Sequence, residues 1–199
     1  MPDDSPTDDI VDATYRALCE HGYADVTMAD IAAESSKSKA ALHYHYDSKH
    51  DLLVSFLEEL LASFTDRLDA VSGETPRERL METLDVFLGA TENGPDREFK
   101  TAVLEMKAQC PYDDAVRERI VDFDDALRAH VAQILADGVE SGAFRADLDV
   151  DAAADFVVSA LNGVQTRSVA TGRPVGEMRA AVEHFVETNV DAEPPGADA

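Results

Sequence analysis

Apolar residues recur at intervals of three and four along almost the whole chain, while glycine and proline gather between the periodic stretches. That period keeps apolar side chains on one face of a helix, so the chain reads as all-α. Ile10, Ala13, Ala17 and Leu18 define a first helix over about 8–21, with Asp8 or Asp9 as N-cap and Gly22 as its stop. Thr27, with Asp30 three residues on, reads as the capping box of a short second helix, and Ser38 opens a third over Lys39 to Tyr46. From Lys49 an apolar stripe continues through Leu52, Phe56, Leu60, Phe64 and Leu68. Five further helices follow, opened by Thr75-Pro76, near Pro95, at Pro111, by Asp149 or Asp151, and by Pro174. The reading is a three-helix head over residues 1–50, a six-helix bundle over 51–190 and a disordered acidic tail over 191–199.

A chain of 199 residues with 45% hydrophobic content can bury such a core. Its charge argues about partners: 41 acids against 17 bases give a net charge of −24. A field of that sign repels nucleic acid and anionic membrane surfaces at ordinary ionic strength. Asp (25) exceeds Glu (16), only 5 lysines stand beside 12 arginines, and Trp is absent. We read this bias as adaptation to salt, because at 1 M the Debye length is about 3 Å and self-repulsion is screened.

Cys19 and Cys110 have neither paired spacing nor a C-x-x-C motif. With acidic, polar first residues and no apolar run of membrane-spanning length, this predicts a reduced, cytoplasmic protein with no membrane partner.

One segment contradicts the overall charge. Residues 36–50 hold Lys37, Lys39, Lys49, His43, His45, His50 and a single acid, Asp47, for a local charge of +2. Two short helices joined by Glu34-Ser35-Ser36-Lys37 form a helix-turn-helix pattern, whose second helix enters the DNA major groove. Ala40 and Ala41 let the backbone approach, and an alanine methyl can touch a thymine methyl.

These residues resemble the TetR-type one-component repressors. The likeness runs without a gap through Ile10, Ala13, Leu18, Gly22-Tyr23, Thr27, Ile31-Ala32, Ser38, Leu42-His43-Tyr44-His45-Tyr46, Ser48-Lys49 and Leu52-Leu53. The resemblance implies that Thr27, Tyr44 and Lys49 hold phosphates. It implies that Lys37, Ser38, Lys39, Ala40, Ala41, His43 and His45 belong to the DNA-contacting surface, while Leu42 and Tyr46 pack inward on Leu18 and Ile31. The chain departs from the family in two places: Ser35-Ser36-Lys37 replaces Ala-Gly-Val, which predicts a looser turn, and His43 stands where the family has tyrosine. Gly138-x-x-x-Gly142-x-Phe144-Arg145 and Ala160-Leu161-Asn162-Gly163 resemble the choline-responsive branch of the same family.

The resemblance implies a ligand-responsive repressor, released from a palindromic double-stranded DNA operator by a small-molecule effector, and a homodimer joined through its last two helices. Candidate pocket residues are Phe87, Leu104, Phe123, Leu127, His130, Phe156, Asn162 and Gln165. Apolar side chains at that spacing also suit a core, and the polar ones need a partner that a neighbour, a water or an effector can supply. No metal site is expected, since His43 and His45, two apart on a helix, face different ways. Neither a cofactor nor catalysis is expected. The Glu-x-x-His pairs of a di-iron bundle, the phosphate-binding loop and the nucleophile elbow are all missing. The competing reading is a helix-turn-helix that acts only by protein contact.

Overall fold

The computed structural model describes residues 6–89 and 97–192, with side chains from residue 9. Its helices are α1 (Pro6–Asp25), α2 (Met28–Glu34), α3 (Lys39–His45), α4 (Lys49–Asp69), α5 (Pro76–Leu88), α6 (Arg97–Lys107), α7 (Asp114–Ser141), α8 (Val150–Thr171) and α9 (Val175–Asn189). No strand is present among the described residues. Pro95 and residues 193–199 of the expected tail lie outside them.

The chain divides into two compact units. One comprises residues up to 64 together with 97–123, and the other residues 65–89 together with 124–192. The division runs through α4 and α7.

In the first unit, Ala13, Ala17, Leu18, Ile31, Leu42, Leu52, Leu57, Ala102 and Met106 are almost wholly buried in one cluster. Tyr15 stacks on Phe99 with ring centroids 4.5 Å apart, and Phe99 meets the edge of Phe56 at 6.1 Å. The helical dihedrals of α1 break at Gly22, with φ 73° and ψ 170°, a conformation that glycine adopts without a Cβ clash. Asp9 is not the N-cap that its place in the sequence suggests. It sits inside α1, which begins at Pro6, and its carboxylate is committed elsewhere.

The second unit buries Leu80, Leu84, Leu88, Leu127, Val131, Leu135, Val157, Leu161 and Val186. Thr75 caps α5 by a capping box, Asp149 Oδ1 accepts from the Ala152 amide at the start of α8, and Asp113 Oδ1 accepts from Val116 N at the start of α7 in the first unit. Beyond α7 the chain turns at Gly142 (φ 74°) and seats Phe144, 1% exposed, beside Gly138. Phe144 forms an antiparallel bridge to Asp191, with Arg145 N donating to Val190 O and Ala192 N to Ala143 O. Asp191 and Ala192, the first two residues of the tail predicted from residue 191, take part in this bridge. Arg77 binds Glu187 and Asp191, and Arg179 binds Asp85, tying α5 to the C-terminal helix.

Candidate nucleic-acid interface and ligand domain

The interface is assembled on α2, its turn and α3. Thr27 Oγ1 accepts from the amides of Ala29 and Asp30 at 3.2 and 3.3 Å, and Asp30 Oδ2 accepts from Thr27 N at 2.9 Å. Thr27 Oγ1 also donates to Asp30 Oδ2 at 2.7 Å, and this bond first, then the one from Thr27 N, holds the Asp30 carboxyl below its ordinary value. Ser38 Oγ accepts from Ala41 N at 3.2 Å and starts α3 where the sequence predicts. Leu42 is completely buried and Tyr46 packs against the same cluster, which anchors one side of α3.

The other side is open. Thr27, Ser38, Lys39, Ala40, His43, Tyr44 and His45 are exposed, and Lys37, Ala41 and Lys49 are partly so. Tyr44 is 86% exposed and meets His45 edge-on at 5.2 Å. An aromatic of that size held in water on a cationic face is a group available to a partner. Lys49 is positioned differently from its neighbours. Its Nζ donates to the carbonyls of Tyr23 and Ala24 at 3.2 and 3.4 Å and lies 5.5 Å from the Tyr23 ring centroid. Glu105 Oε2 accepts from Tyr23 N at 2.7 Å, so the segment after the Gly22 break is gripped by a cation and an anion. The Ser35-Ser36-Lys37 turn is also tighter than its composition predicts, because Asp9 binds both serines. That contact joins residues 26 and 27 positions apart, which no local pattern reveals.

The pocket candidates are divided. Leu104 and Phe123 belong to the first unit, where Phe123 packs on Phe64 at 5.7 Å. In the second unit Leu127 is 1% exposed within the core. His130 reaches Thr83 Oγ1 at 3.1 Å, and burial pushes its imidazole pKa down, favouring the neutral ring. Asn162 Nδ2 donates to Asp124 Oδ1 and to Val158 O, so its polar group is satisfied by neighbours. Phe87 and Gln165 are half-buried. Phe156 leaves the interior position that its spacing predicts. It is 46% exposed and stacked on Phe185 at 4.1 Å. An open recess of about 380 Å³ in this unit is lined by Arg67, Ala70, Val71, Glu82, Asp85 and Val86.

Among the described residues, no three His, Cys, Asp or Glu side chains group to hold a metal ion, and no helix is long and apolar enough to cross a membrane.

Residues 10–56 match the family described as bacterial regulatory proteins of the tetR family, and residues 76–191 match the C-terminal domain of BetI-type transcriptional repressors. A TetR transcription regulator from Haloarcula marismortui is 34% identical, with a TM-score of 0.86 over 94% of this chain and 98% of that one. A transcriptional regulator from Saccharomonospora viridis, solved in complex with choline, is 26% identical with a TM-score of 0.83 over the same shares of the two chains. The repressor AcnR of Corynebacterium glutamicum is 26% identical over 85% of this chain and 86% of its own. The regulator BetI of Rhizobium meliloti is 31% identical over 61% of this chain and 60% of its own. The chain belongs to the TetR family of helix-turn-helix transcriptional regulators and carries a BetI-type C-terminal domain.

Proposed function

We propose that this protein represses transcription by holding a near-palindromic double-stranded operator as a homodimer, and that a small organic molecule releases it. The observation that carries the DNA part is the α3 face: Lys39, Ala40, His43, Tyr44 and His45 are exposed on a helix whose opposite side is locked by a fully buried Leu42. Residues 1–50 serve as the head. Lys39, Ala40, Ala41, His43 and His45 face the groove, while Thr27, Lys37, Ser38, Tyr44 and Lys49 meet the backbone. Two heads about 34–36 Å apart then address successive major grooves.

Residues 51–190 serve ligand binding and dimerisation. Along α8, Ala152, Phe156, Ser159, Gly163, Thr166 and Ala170 recur at four-three spacing and are all exposed. A Cβ at Gly163 would meet nothing within 4 Å. Such a seam of small residues around one aromatic pair suits a second copy of the helix pair. The BetI-type domain and the choline-bound relative favour an organic cation as effector, with Phe87, Leu127, His130, Asn162 and Gln165 as its candidate lining. The function involves no catalytic group, and a protein whose partner is operator DNA works in the cytoplasm.

Selection from a random duplex library tests the reading. Wild-type protein is expected to enrich an inverted repeat, and Lys39→Ala to weaken binding to it by roughly ten- to a hundredfold, the value of one good base contact. Enrichment of no sequence, or an unchanged affinity of the variant, would overturn it.

A further inference from the structure

Asp9 and Arg16 stand seven residues apart on α1, two turns along one face. Both reach the same short stretch of chain. Arg16 Nη2 donates to the Glu34 carbonyl at 2.7 Å and Nε to Glu34 Oε2 at 3.0 Å. Asp9 Oδ2 accepts from Ser35 Oγ at 2.7 Å, Ser36 Oγ at 2.9 Å and Ser36 N at 3.1 Å. Ser35 Oγ in turn accepts from Lys37 N at 2.9 Å.

The pair matches charge to backbone polarity. The cation sits on the carbonyl that ends α2, and the anion on the amide leading toward α3. The turn contains no glycine, and no non-glycine residue among the described residues has positive φ. Its course is therefore held by side-chain bonds and not by a left-handed residue.

Resting on the DNA-binding reading above, we propose that Asp9 and Arg16 are positioning residues that fix the angle at which α3 leaves α2, and so set operator selectivity through Ser35 and Ser36. Base-edge hydrogen bonds weaken within a few tenths of an ångström, whereas attraction to phosphates tolerates a tilt of the helix. The Arg16–Glu34 pair is half exposed and adds little to folding stability as an ion pair, so the consequence is geometric.

The test uses the full chain with Asp9→Ala, Asp9→Asn and the Ser35→Ala/Ser36→Ala pair. Affinity is measured for the selected operator and for a scrambled duplex, alongside hydrogen exchange at the Ser36 and Lys37 amides without DNA. Asp9→Ala is expected to lose roughly tenfold in operator affinity, the value of bonds to a charged group. Scrambled-duplex binding should stay within about twofold, and both amides should exchange faster. Asp9→Asn, which keeps an acceptor oxygen, should recover part of the loss, and adding Asp9→Ala to the serine pair should cost nothing further. Faster exchange with unchanged selectivity would overturn the positioning role while leaving the operator reading intact. Equal loss on both duplexes, or additive losses with the serines, would overturn it too. A wild-type protein that prefers no duplex would overturn the operator reading first and this proposal with it.

Discussion

Gly138 is constrained by volume and not by conformation: a Cβ at this helical position would overlap the Phe144 ring, which is itself 1% exposed. Neither atom can yield without moving α7 or the Phe144–Asp191 bridge. Gly138→Ala is therefore expected to destabilise the protein by about 1–3 kcal/mol despite the better helix propensity of alanine, as read from the denaturation midpoint. Asp9 makes a prediction of another kind. Its hydrogen bonds from Ser35 and Ser36 hold the carboxyl below its ordinary value. A carboxyl depressed in the folded state contributes stability above its unfolded pKa, about 3.9, and loses it as pH falls through the folded value. The stability gap between wild type and Asp9→Asn should accordingly be widest near neutrality and shrink below about pH 4. Sequence reading finds residues that act locally, such as Thr27 with Asp30 and Ser38 with Ala41, because a cap and its amide lie within three positions. It misses Asp9, Arg16 and the Lys49 ammonium, whose partners stand 18 to 27 positions away.

At the scale of elements, α5 shows how much a terminus depends on one hydroxyl. Thr75 Oγ1 accepts from Glu78 N at 3.1 Å, and Glu78 Oε2 accepts from Thr75 N at 3.0 Å. Thr75→Ala removes the forward half of this box and should cost about 1 kcal/mol in thermal or denaturant unfolding. The α8 seam gives a test of assembly. Phe156→Glu puts a charge beside Phe185 in the proposed contact, where an unpaired buried charge costs several kcal/mol. Sedimentation should show monomers in that variant and dimers in wild type. A persistent dimer would move the interface elsewhere. The period of three and four reveals each helix, and Gly22, Gly89, Gly142 and Gly172 mark breaks or ends with positive φ. It does not reveal which face a helix leaves open. The spacing of Phe156 looks like that of a core residue, and only the packing of α8 on α9 shows it outside.

For the whole molecule, the net charge of −24 first argues against a DNA partner, and its distribution reverses that argument. Residues 51–199 hold 31 acids and 13 bases, while the cations of residues 36–50 are gathered around α3. With few phosphate-binding cations, little counterion is released on binding, and carboxylates brought near DNA take up cations. We propose that the protein is adapted to salt, and expect operator affinity to fall weakly or to rise between low and molar KCl. A steep negative slope in log affinity against log salt would refute this. The compact units, by contrast, do not follow chain order. The first takes in 97–123 from the middle of the sequence, and no composition shift marks residues 64 or 123. In the proposed function an acidic chain reads DNA through the α3 face, and anisotropy titration of the selected operator in molar KCl by wild type and Tyr44→Ala tests this. Wild type is expected to bind saturably and at least about tenfold more tightly than the variant, as loss of a phosphate-positioning group would give. Equal affinity of the two proteins, or no saturable binding by wild type at any salt concentration, would contradict it.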